Sequence, residues 1–189
     1  MVTIKNARSL AVGAVAASAL ALTACGGDKA DASSSVQQLS SPVHVSGNGS
    51  GWNSAKFEGT VNLDAGPVCT TTNGGRVVVF HVRAGADTGA IPTANWLLQT
   101  GNAKPVSNEN FDLGTFAGPI LGSSVDTGHA WGDVAFYLPP KTVATEVQLF
   151  SNPETFSSAS GDVLAKWATS DDVKPTSVCP ASVQSAVSK

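Results

Sequence analysis

The residues best suited to chemistry in this chain are few and far apart: His44, His81 and His129, with Cys25, Cys69 and Cys179. A blue-copper sandwich needs two histidines, a cysteine and usually a methionine close to that cysteine. Here the single methionine is Met1, and Cys69 is followed by Thr70-Thr71-Thr72-Asn73. Neither the HExxH nor the paired CxxC spacing of zinc sites occurs, and no acidic calcium loop is present. We therefore expect no metal and no cofactor, and read His81 as a strand histidine hydrogen-bonded at a sheet surface. Nucleophilic catalysis asks for a serine or cysteine beside a base and an orienting acid. Residues 46–51 (SGNGSG) set their serines out of frame for a nucleophile elbow and read as a loop. Asp171-Asp172, and Asp126 with Asp133, could form the carboxylate pair of glycoside chemistry; acids on loops more simply solvate the chain. Gly74-Gly75 lacks a phosphate-cradling frame and reads as a hairpin turn. No catalytic residue is assigned.

Aromatic side chains offer the other candidate. Trp52, Trp96, Trp131 and Trp167 lie in or beside strand-like runs, and one or two of them should fill a core. Alternation over residues 130–138 puts Val134, Phe136 and Leu138 on the face that looks like core. Trp131 and Tyr137 share the opposite face and form the candidate binding surface, for a protein or a glycan. Cross-strand pairs that merely stiffen the sheet are the plainer reading.

The N-terminus carries an address. Lys5 and Arg8 precede an uncharged, Ala-rich stretch over residues 9–24, the layout of a secretory signal peptide. The stretch falls short of the roughly 20 apolar residues that a membrane span wants. It ends in Leu22-Thr23-Ala24-Cys25, which resembles the bacterial lipobox. That resemblance implies cleavage before Cys25 and a diacylglycerol on its sulfur. One fatty chain binds membranes only marginally, whereas two anchor stably. The expected location is the outer face of the cell membrane, with the lipid anchor as the membrane partner. Removal of residues 1–24 leaves 9 of the 11 basic residues against 14 acidic ones, a net charge of −5. An acidic body without a basic run excludes nucleic acid as a partner.

The elements that must position these residues are strands. Residues 25–41 hold the lipidated cysteine and a Gly/Ser/Ala-rich tether. Residues 42–180 form one domain, and 181–189 are small, polar and expected to fray. Short alternating runs fall at 56–63, 76–83, 95–100, 111–116, 130–138, 143–150 and 162–168. The run at 76–83 is apolar on both faces and belongs in mid-sheet. Only residues 157–168 leave helix or strand open. About seven to eight strands with turns at this spacing predict an all-β, antiparallel, immunoglobulin-like β-sandwich. Outside the cytosol Cys69 and Cys179 are expected to pair as a disulfide across 110 positions. The alternative, a pair of metal or redox thiols, has neither CxxC spacing nor a nearby histidine.

Two stretches resemble the MPT63-like family of secreted actinobacterial antigens. The first is WNSAKFEGTVNL at 52–63 with VVVFHVR at 77–83; the second is GDVAFYL at 132–138, continued by VQLF at 147–150 and VLAKW at 163–167. The resemblance implies an immunoglobulin-like sandwich and a surface or secreted antigen, and carries no catalytic residues. The cysteine pair and the anchor depart from the family pattern. The expected function is a non-enzymatic binding or antigen module for an unknown protein or cell-envelope partner. A carrier of a small hydrophobic ligand, or a hydrolase with a site built across loops, are the alternatives.

Overall fold

The structure, a computed structural model, describes residues 35–48, 55–151, 161–169 and 175–188. The signal peptide, Cys25, Trp52 and Asp171-Asp172 lie outside the described residues.

Among the described residues two five-stranded sheets, a two-stranded ribbon and one short helix make up the fold. One sheet has the order β1 (Gln37–Gln38), β11 (Val163–Ala168), β10 (Ala144–Phe150), β6 (Trp96–Thr100), β7 (Val106–Ser107). The other runs β12 (Ser177–Val178), β3 (Lys56–Thr70), β4 (Arg76–Thr88), β9 (Gly128–Leu138), and β2 (Val43–Asn48) also pairs with β3. A small ribbon joins β5 (Ile91–Pro92) to β8 (Ser124–Val125), and α1 spans Ala181–Val187. Seven of the described strands exceed two residues. The architecture is an all-β sandwich, and pairing is antiparallel except at two short edge strands, where β1 lies parallel to β11 and β12 to β3. Both arrive by long connections, which a parallel pair requires.

Alternation builds the core. Phe57, Val61 and Leu63 of β3, Phe80 and Val82 of β4, and Phe136 and Leu138 of β9 point inward. They meet Leu98, Val147, Leu149 and Leu164 of the facing sheet. Trp96 and Trp167 are both buried there, ring centroids 6.0 Å apart. Each indole N–H has an acceptor, the Thr93 carbonyl at 2.8 Å and the Ser41 carbonyl at 3.1 Å, as buried indoles require.

A second, smaller core lies on the outer face of the β3–β4–β9 sheet. There Val77, Val79 and Ala135 are covered by Phe111, Leu113, Val183 and the joined Cys69 and Cys179, whose Cα atoms are 4.8 Å apart. This explains why β4 is apolar on both faces. Residues 71–75 close the β3–β4 hairpin, with the Thr71 N–H donating to the Gly75 carbonyl at 2.9 Å. Gly74 takes φ +83°, which a Cβ would oppose.

Four sequence expectations give way. Residues 111–116 are not a strand: Phe111 and Leu113 bury side chains without a ladder, and the chain turns at Gly114 with φ +56°. Residues 181–187 do not fray, because Val183 is fully buried and the Gln184 carbonyl side chain accepts from the Thr72 N–H at 2.9 Å. The end of the tether is part of the domain, since main-chain pairing to Trp167 and Ala168 holds Gln37 and Gln38 without bulky side chains. Ser46, Gly47 and Asn48 of the supposed 46–51 loop continue β2 along β3.

Candidate functional site

Beyond the second core, the outer face of the same sheet is polar, and strand register sorts it into three rows. Asp64, His81 and Asp133 stand side by side across β3, β4 and β9; so do Asn62, Arg83 and Trp131; so do Thr60, Gly85 and His129. Neighbours across strands are about 4.8 Å apart and successive rows roughly 7 Å. All three histidines reach this face, since His44 of β2 pairs with Thr60 and sits 3.3 Å from the Glu58 carboxylate.

In the first row Asp133 is 2% exposed. Its Oδ1 lies 2.5 Å from His81 Nδ1, and its Oδ2 accepts the Gly118 N–H. A carboxylate only accepts, so Nδ1 donates, and Nε2 lies toward Gly66 of β3. This is the orienting half of a nucleophilic triad. No serine, threonine or cysteine is among the hydrogen-bond partners of His81 in the described residues. Asp126, the other acid of the carboxylate pair weighed from sequence, precedes β9, and the partner of Asp133 is His81 instead.

The second row holds the ligand-like features. Trp131 is 69% exposed, the edge of its indole beside Gly118. Arg83 Nη2 donates to Asp64 Oδ2 at 2.7 Å, an ion pair whose guanidinium stays mostly exposed. Asn62 Oδ1 is buried and has no hydrogen-bond partner. In the third row the His129 imidazole lies over Gly85, where a Cβ would stand 2.5 Å from Nδ1. Together Thr60, Asn62, Arg83, Asp87, His129 and Trp131 line an open groove of about 480 Å³.

Tyr137 does not join Trp131. The two share a strand face, but six residues place them roughly 20 Å apart. Between them Asp133 and Ala135 are flanked by the 109–121 segment, tied on by Glu109 N–H to Ala135 O at 2.8 Å and Asp133 N–H to Pro119 O at 2.8 Å. Tyr137 is half-buried against the second core, its hydroxyl accepting from Asn73 Nδ2 at 2.8 Å. Among the described residues Trp131 is the one large exposed aromatic, and of the polar groups around it only His129 was weighed from sequence. Alternation already placed His129 in phase with Trp131; which strand neighbours they meet depends on register.

Between the sheets the void lined by Leu39, Val68, Phe80 and Leu138 has room for about 20 Å³, the size of a single water rather than of a carried ligand. Among the described residues no cluster of three or more His, Cys, Asp or Glu is gathered to hold a metal.

Hydrogen bonding from the Ser40 hydroxyl, followed by the Arg83 guanidinium, holds the Asp64 carboxyl below its ordinary value of 3.8 against the opposing effect of burial. The folded state therefore gains from ionised Asp64 at neutral pH and loses that gain as pH falls through the lowered value. Asp64→Asn is expected to unfold about 1 kcal/mol more easily than the parent at pH 7. The gap should narrow below pH ~4, near the unfolded carboxyl value, in urea titrations at several pH values. A gap that widens in acid would show the pairing to be irrelevant.

Comparison with protein-family models, with curated proteins and with solved structures finds no match to this chain.

Proposed function

We propose that the chain is an exported lipoprotein, held by lipid on Cys25 at the outer face of the cell membrane. Its sandwich is a non-enzymatic binding module for a cell-envelope component. The observation that carries the binding reading is Trp131, 69% exposed and set in a groove of hydrogen-bonding side chains held by strand register. An indole left in water on a rigid sheet costs solvation free energy that a partner would recover. The lipobox-like Leu22-Thr23-Ala24-Cys25 and the resemblance to secreted antigens support the address.

Two measurements test this reading. In cells, the parent should partition with membranes and incorporate labelled palmitate, and Cys25→Ser should abolish the label and release the protein. Equal membrane association of the two would remove the anchor. In vitro, soluble Cys25→Ser protein should co-sediment with isolated envelopes of the producing bacterium, and failure to do so would remove the binding module.

A further inference from the structure

The groove beside Trp131 has chemistry of its own, and from it we infer that its occupant is an uncharged saccharide of the cell envelope. The inference rests on the binding-module reading and names the ligand class for that site. A pyranose ring has one face of C–H bonds and a rim of hydroxyls that both donate and accept. The groove answers in kind: the indole of Trp131 with His129 beside it on β9, and Thr60, Asn62 and Asp87 from β3 and β4. An aromatic face attracts the polarised C–H groups, planar amide and imidazole groups bond hydroxyls in either sense, and a carboxylate accepts from them.

Three further observations narrow the class. The Arg83 guanidinium is paired with Asp64 at 2.7 Å and Asp87 adds a second carboxylate to the lining, so two acids stand against one cation here and disfavour a phosphate or a strongly anionic ligand. The Asn62 carbonyl oxygen has no partner inside the protein. That oxygen therefore gives up no internal hydrogen bond if the side chain moves to meet a ligand hydroxyl. Finally, a stable protein partner needs about 800 Å² on each side with several apolar anchors at its centre. This face offers one, since the other exposed large apolar side chains among the described residues, Val36, Val143 and Val178, lie on or beside other strands. The groove volume of about 480 Å³ falls in the range of small-ligand sites.

The floor is shaped for close approach. Gly85 occupies the centre of the third row, and any side chain there would strike His129. Gly85 thus makes room for the His129 imidazole to pack down on the sheet as one wall of the groove.

The test uses soluble Cys25→Ser protein and two probes: intact envelopes, and neutral envelope polysaccharide stripped of protein and peptide by hot detergent, protease and amidase. The protein should be retained on the stripped polymer, and Trp131→Ala should lower retention about tenfold while leaving the thermal midpoint in place, because the side chain is exposed. Trp131→Phe should recover part of the loss. Retention on intact envelopes but not on stripped polymer would overturn the saccharide inference and leave the binding module standing. Retention unchanged by Trp131→Ala would overturn the groove as the site. Retention on neither probe would remove both readings.

Discussion

Replacing Cys69 and Cys179 together by serine is expected to lower the unfolding free energy by about 2–5 kcal/mol. The cross-link closes a loop of 110 positions, so most of the effect comes from the larger conformational freedom of the unfolded chain. A second contribution is local. Both sulfurs sit inside the smaller core, with Cys69 0% and Cys179 5% exposed, packed beside Val77, Val79 and Val183. Two register pairs join β12 to β3, and buried Val183 and the Gln184–Thr72 bond hold α1, so the disulfide is the covalent tie that these weaker contacts supplement. Urea unfolding of the parent, with and without reductant, should reproduce the drop seen in the double variant. Amide exchange in α1 should accelerate before that of β3, β4 or β9. An unchanged midpoint on reduction would mean that packing alone holds the C-terminal segment.

The second large effect is expected at Asp133→Ala, at about 2–5 kcal/mol. The carboxylate is buried and accepts from the Gly118 N–H and from His81. Its removal leaves a main-chain donor without an acceptor and opens a cavity beneath the 109–121 segment. Asp133→Asn keeps one acceptor oxygen and should cost less than the alanine change. Beyond stability, the alanine variant should speed amide exchange at Gly118 and Leu121, whose N–H groups bond Asp133 Oδ2 and Asp133 O. If exchange there is unaffected, Asp133 is not what fastens that segment.

Much of this architecture is written locally. Alternation in β3, β4 and β9 was plain in residues 56–63, 76–83 and 130–138, because a period of two needs no knowledge of partners. Gly74-Gly75 announced a hairpin through the backbone freedom of glycine. The cysteine pair followed from the expected oxidising compartment, and the structure joins the two. Less legible was whatever depends on what lies opposite. The Phe111-Asp112-Leu113 triplet alternates like a strand, yet its side chains bury into a face already furnished by β4 and β9, which no local pattern reveals. The helix over 181–187 has one fully buried residue, Val183, too little for an apolar stripe to stand out. Gln37 and Gln38 are held by main-chain bonds, and main-chain bonding leaves no mark on side-chain type. The groove was hidden for the same reason. Thr60, Asn62, Arg83 and His129 look unremarkable one by one, and only the register of β3 on β4 and β4 on β9 sets them around Trp131.

The way the chain enters the fold also has a mechanical side. A pull on the N-terminal end reaches the sandwich through Gln37 and Gln38, which rest on β11 over two register pairs. Beyond them the Trp167 indole holds Ser41 by one bond, and the Ser40 N–H holds the Leu63 carbonyl at 2.8 Å. These few contacts should yield under load before β3, β4 and β9 are strained. The first strand then works as a fuse, paying out several residues while the groove keeps its shape.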